Sequence, residues 1–165
     1  MSAIDILAAD FLSQPCIAVA GVSPGRETTG NLIYRTLRKR GTTVFAIVPG
    51  GGEVAGDRTW PDLASLPQVP DGLVIVTRAA AAEELVRQCI AAGVRRVWMH
   101  NLLGTRPRLF KGASAKLGST SDAAIALCRA NGVTVIPGSC PMQFLGDVPH
   151  ACMRGFLRMT GALEV

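Results

Sequence analysis

Five short apolar runs divide the chain: 16–20 (CIAVA), 42–48 (TTVFAIV), 73–76 (LVIV), 96–99 (RVWM) and 133–136 (VTVI). Each has strand length and is rich in residues that favour a pleated, buried backbone. Between them the hydrophobic period lengthens to that of a helix. Residues 31–40 set Leu32, Ile33, Thr36 and Leu37 on one side and Arg35, Arg38, Lys39 and Arg40 on the other, and Gly41 closes the run. Residues 79–92 carry a stripe of Leu85, Val86, Cys89 and Ile90 and close at Gly93; a third run ends at Asn131 and Gly132. Glycine just past a helix supplies the left-handed residue that terminates it. Strands alternating with such helices specify parallel pairing, because a parallel neighbour requires a crossover. The prediction is an α/β fold, a doubly wound five-stranded parallel sheet with helices on both faces. Winding two halves outward from the first strand gives the order 3-2-1-4-5. Amphipathic helices at 4–12 and 149–160 flank the sheet-forming region.

The first strand leads into a cluster of turn residues, Gly21-Val22-Ser23-Pro24-Gly25-Arg26, followed by Thr28, Thr29 and Gly30. Glycine lets the backbone approach a ligand, free N–H groups at a helix start favour an anion, and arginine suits phosphate oxygens. An ordinary strand-to-helix corner would use the same residues, so the turn needs support from elsewhere in the chain. A nicotinamide dinucleotide site adds G-x-G-x-x-G and an acid at the end of the second strand. Here the turn lacks that spacing, and the second strand runs into Pro49, Gly50, Gly51 and Gly52. Both departures count against NAD(P) and leave another nucleotide-like ligand open.

A chain of 165 residues is long enough for one domain with a real core, so residues 1–165 read as a single unit. In that unit, 1–15 form an N-terminal helix, and 137–165 a loop and helix packed on the rest. The net charge of +5, mostly from arginine, favours an anionic small-molecule partner but is too dispersed for a nucleic-acid binder. Aromatic residues, at 5%, are too few for a stacking surface. No apolar run approaches a membrane span, and the N-terminus, with Asp5 and Asp10, lacks a basic leader. Five cysteines without C-x-x-C fit a reduced compartment, so a cytoplasmic protein without membrane attachment is expected. A homo-oligomer is compatible with the sequence.

Residues 102–118 break the rhythm of the chain. They carry Arg106, Arg108, Lys111 and Lys116 with no acid, and they leave the carboxyl end of the fourth strand, where open α/β sheets bind ligands. Ser119 and Asp122 then stand at capping-box spacing for the next helix. Signals for catalysis are poor. His100 and His150 have no readable acid partner, and Cys140, His150 and Cys152 match no standard zinc spacing, so neither catalytic residues nor a metal are expected.

Four segments carry a family resemblance: IAVAGVSPGRETTGN, VFAIVPGGGEVAG, LVIVTRAAAAEELVRQCIAAGVRRVWMHN and GVTVIPGSCPM. In this order and spacing they resemble the coenzyme A-binding domain, a Rossmann-like module that is free-standing in many bacteria. The same module forms the N-terminal domain of the succinyl-CoA synthetase α-subunit. The tail HACMRGFLRMTGAL is similar to the ending of a free-standing subgroup. The resemblance implies that Gly21, Val22, Ser23, Pro24, Gly25 and Arg26 wrap the nucleotide phosphates, with Val48 and Pro49 beside the adenosine. It also implies binding positions at Val76, Thr77 and Arg78 and at Met99 and His100. The lysine that the synthetase branch often has after the second-strand proline is replaced here by glycines. The 3′-phosphate contact would then fall to Arg26, Arg78 or the basic loop. The phosphorylated histidine of the synthetase lies in a second domain that this length does not contain. The reading is non-catalytic binding of coenzyme A or an acyl-CoA, as a carrier, sensor or regulator. The alternative is an NAD(P)-dependent oxidoreductase, or another nucleotide-binding enzyme, on the same fold.

Overall fold

The apolar runs pair edge to edge into one parallel sheet. The computed structural model describes residues 2–105, 118–146 and 148–165. The first half of the chain forms helix α1 (Ala3–Leu12), strand β1 (Cys16–Ala20), helix α2 (Thr29–Lys39) and strand β2 (Thr43–Ile47). A small hairpin follows, β3 (Glu53–Val54) with β4 (Asp57–Arg58), and then strand β5 (Gly72–Ile75) and helix α3 (Ala79–Ala92). The second half gives strand β6 (Arg96–Met99), helix α4 (Asp122–Ala130), strand β7 (Thr134–Pro137) and helix α5 (Val148–Met159). The basic residues Arg106, Arg108, Lys111 and Lys116 lie outside the described residues.

The five principal strands are parallel, in the order β2-β1-β5-β6-β7. The doubly wound α/β class expected from the sequence holds. Counting principal strands only, the order is 2-1-3-4-5, where the sequence reading placed the third strand outside the second. Burial accounts for the difference. Every residue of β5 is buried, whereas Thr43, Val44 and Phe45 of β2 remain partly exposed, so β2 takes the edge and β5 the interior. The connection between them holds no long helix. Ala55 and Gly56, both at positive φ, turn the hairpin tightly, and Trp60 then lies parallel beside Ile47 on the outer edge of β2. Residues 61–67 form bends and turns.

Two cores flank the sheet. On one face α1, α2 and α5 cover Ile17, Val19, Val74, Trp98 and Ile136; on the other α3 and α4 cover Ala18, Leu73, Ile75, Val97 and Met99. Phe11 packs edge-on against Trp98 at 5.4 Å between ring centroids. Gly72 makes room for it, since a Cβ there would lie 2.8 Å from the Phe11 ring. Truncating such a buried aromatic to alanine costs about 3–5 kcal/mol. Arg96 donates to both carboxylate oxygens of Asp10, at 2.7 and 3.2 Å, tying α1 to the start of β6. The C-terminal segment closes the same face through Leu157, Ala162 and Leu163.

Candidate functional site

In this topology the chain leaves β1 toward β2 on one side, while β5 lies on the other. The carboxyl ends of β1 and β5 therefore diverge into a crevice, the position at which open α/β sheets take their ligands. A cavity of about 470 Å³ lies there. Gly21, Val22, Ser23 and Arg26 line it from the β1 side, Thr28 and Thr29 from the start of α2, and Val76, Thr77 and Arg78 from the β5 side. His100 and Ser119 complete the wall. A larger hollow of about 550 Å³, beside Leu63, Leu66 and Val69 and the last turn of α3, faces the opposite edge of the sheet and offers no cation. Chemistry rather than size favours the crevice.

The turn after β1 is held rigid from within. Gly21 has φ +102°, and a Cβ on it would lie 2.5 Å from the Val76 carbonyl oxygen. A Cβ on Gly30 would lie 2.4 Å from the Gly21 carbonyl oxygen. These two glycines are required by contacts within the protein itself, the turn against β5 and α2 against the turn. Gly25 has nothing within 4 Å of a built Cβ.

Asn31, only 4% exposed, organises the remainder. Its Oδ1 accepts from the Ser23 N–H at 2.8 Å and from the Thr28 hydroxyl at 2.6 Å, and its Nδ2 donates to the Ser23 carbonyl at 2.8 Å. Thr28 caps α2 by accepting from the Asn31 N–H at 3.1 Å. The N–H groups of Thr29 and Gly30, at the first turn of α2, have no carbonyl four residues back within the helix, which leaves the positive end of its dipole at the crevice.

The electrostatics of the wall are one-sided. Arg26 and Arg78 are exposed at the rim, and no carboxylate lines the cavity. Glu27, next to Arg26 in sequence, is engaged by Arg35 instead, at 2.7 Å. At the floor, the His100 N–H donates to the Ile75 carbonyl, the His100 carbonyl accepts from the Ser119 N–H, and the Ser119 hydroxyl donates to the Thr77 carbonyl. Burial, with a smaller repulsion from His150, lowers the His100 pKa to about 4, so its imidazole is neutral at pH 7. Among the described residues no group of His, Cys, Asp and Glu could hold a metal ion.

The sequence-predicted residues divide cleanly. Gly21, Val22, Ser23, Arg26, Val76, Thr77, Arg78 and His100 meet at the cavity. Pro24 and Gly25 are exposed in the same turn and do not line the cavity; a Cβ on Gly52 would lie 3.0 Å from the Pro24 ring. Val48 is half-buried against the α2 core, Pro49 is exposed, and Met99 is fully buried in the opposite core, so none of the three reaches the cavity wall.

The sequence profile of the CoA binding domain matches residues 16–145. This chain belongs to the CoA-binding domain family. A stretch of 73 residues, 44% of the chain, is 33% identical to the ADP-forming acetate–CoA ligase I of Archaeoglobus fulgidus and spans 11% of that enzyme. A hypothetical protein from Pyrococcus horikoshii superposes with a TM-score of 0.70 at 21% identity, over 84% of this chain and 87% of its own. The dinucleotide-forming acetyl-coenzyme A synthetase 1 of Candidatus Korarchaeum cryptofilum, in complex with phosphate and ADP, gives a TM-score of 0.59 at 21% identity. That match covers 76% of this chain and 26% of the synthetase. These two likenesses show the shared Rossmann-like fold. No helix among the described residues is long and apolar enough to cross a membrane.

Within this family framework, the sequence reading missed Asn31 and Ser119. Thr28 and Asn31 stand at N-cap and N3, and a cap residue followed three positions later by a second polar side chain is a readable helix start. Ser119 was read as a cap for α4. That role belongs to Ser121, which accepts from the Ala124 N–H at 3.3 Å.

Proposed function

We propose that this chain binds coenzyme A, free or acylated, in the crevice beside the glycine turn, and that it acts as a carrier, sensor or regulator without catalysing a reaction. One observation carries the reading: in a chain of the CoA-binding family, the cavity wall presents Arg26, Arg78 and the start of α2 with no opposing carboxylate. A diphosphate and a 3′-phosphate need such a surface, and arginine can meet phosphate oxygens in a bidentate fashion. The diphosphate would lie against the turn at Gly21–Arg26. A ligand continuing past Pro24 and Gly52 would reach Val48 and Pro49 with its adenosine. Val76, Thr77, Arg78 and His100 would meet the arm on the other side, while Met99 supports that wall from within the core. The reading as a binding module rests on the absence, among the cavity-lining residues, of any acid that could orient His100 as a base.

Thermal unfolding with CoA, acetyl-CoA, NAD and NADP tests this. A ligand at about a hundredfold over its dissociation constant adds about 2.7 kcal/mol. For a chain of this size that is a rise of about 5–10 °C. CoA and acetyl-CoA are expected to give it and NAD and NADP are not; a shift with NAD or NADP alone would overturn the reading.

A further inference from the structure

Beside the crevice, two segments carry three buried polar side-chain atoms without partners: His100 Nε2, Ser139 Oγ and Gln143 Oε1. Their residues are 8%, 0% and 1% exposed. The segments are laced together. The Asn101 N–H donates to the Ser139 carbonyl at 3.0 Å, and the Gln143 side-chain NH2 donates to the Leu102 carbonyl at 3.3 Å. The second bond fixes the amide orientation, so the unpartnered Gln143 atom is an acceptor. Ser139 also holds φ +65°, a conformation that a side chain adopts at a cost. The GSCP turn that contains it follows β7, at the same carboxyl edge of the sheet as the cavity, and His100 lines the cavity wall while its neighbour Asn101 is bonded to Ser139.

Buried polar groups are almost always paired, because each unpaired one forfeits the hydrogen bonds it had with water. Three on two adjoining segments beside a ligand cavity are what a polar guest would satisfy. We infer that His100, Ser139 and Gln143 form a polar subsite that receives the distal end of the bound thioester and selects acyl groups bearing a hydroxyl over plain hydrocarbon ones. This rests on the coenzyme A reading above. A hydroxyl can donate to the Gln143 acceptor and accept from the Ser139 hydroxyl, pairing two of the orphan atoms at once. A hydrocarbon acyl chain would pair none of them. The atoms are closed to solvent, so the guest enters by parting the two segments at His100.

The test compares CoA, butyryl-CoA and 3-hydroxybutyryl-CoA by calorimetric titration, with the wild-type protein and with Ser139→Ala. That substitution removes only an unpartnered hydroxyl, so urea unfolding of the free variant is expected to match wild type or exceed it. Wild type is expected to bind 3-hydroxybutyryl-CoA at least about fivefold more tightly than butyryl-CoA, with the ratio falling toward one in Ser139→Ala. Equal wild-type affinities, or a ratio unchanged in the variant, would overturn the subsite while leaving CoA binding standing. Failure of all three ligands to bind the folded wild-type protein would overturn both.

Discussion

Replacing Asn31 with alanine is expected to loosen the turn after β1 and weaken coenzyme binding together. The side chain is almost wholly buried and bonds the Ser23 N–H, the Ser23 carbonyl and the Thr28 hydroxyl. Each such bond contributes about 1 kcal/mol net, so losing the two to Ser23 and the one to Thr28 costs about 3 kcal/mol. Alanine recovers about 0.5 kcal/mol through its better helix propensity. Thr28 lies 3.1 Å from the Gly21 carbonyl and can redirect its hydroxyl there, and Ser23 is only half-buried, so water compensates part of the rest. The balance is a destabilisation of about 2 kcal/mol, read as a fall in the urea midpoint. Affinity for CoA is expected to fall about tenfold or more, because a loosened turn must be reordered on binding. A loss below about 0.5 kcal/mol with unchanged affinity would refute the view that Asn31 pre-organises the site.

Gly21→Ala is expected to cost more than about 2 kcal/mol, because its Cβ would strike the Val76 carbonyl from a backbone at positive φ. Gly25→Ala, with nothing within 4 Å, should stay within about 0.5 kcal/mol of wild type in the same urea titration; the reverse ranking would contradict the packing described. His100 gives a pH signature. Its folded-state pKa lies near 4, below the ordinary 6.5. Between those values the unfolded chain binds more protons than the folded one, and stability falls as pH drops through the window. Urea midpoints should decline from pH 6.5 to 4 in wild type and less in His100→Gln; parallel curves would count against a buried neutral imidazole.

Much of this architecture is legible in the chain, and the exceptions have physical causes. Gly41, Gly93 and Gly132 mark helix ends correctly, and all three hold positive φ. The strand order was harder to read because the β2-to-β5 connection carries no helix to reveal its direction. The clue lay in composition, since Thr42 and Thr43 suit an edge and Leu73–Val76 an interior strand. At the site, the glycine turn is visible in the sequence, but the reason for Gly21 is not: local pattern cannot show that the Val76 carbonyl lies against it. Val48 and Pro49 follow the end of β2 and Met99 ends β6, as the resemblance implies, yet strand-end position alone does not decide which way a side chain faces. Met99 turns into the α3 core. The pairing of Ser119 with Thr77, 42 residues away, is a tertiary contact that no local pattern carries.

The central claim is that an anionic coenzyme is held at the crevice by Arg26 and the turn it belongs to. Arg26 is exposed and forms no ion pair among the described residues, so its removal should leave stability unchanged. A charge-assisted hydrogen bond to phosphate contributes about 1.5–3 kcal/mol. Calorimetric titration of CoA into wild type and Arg26→Ala at moderate salt is the direct measurement. The expected result is saturable 1:1 binding to wild type and an affinity about tenfold or more weaker in the variant. Equal affinity in the two proteins, or no binding of CoA by folded wild type, would contradict the account.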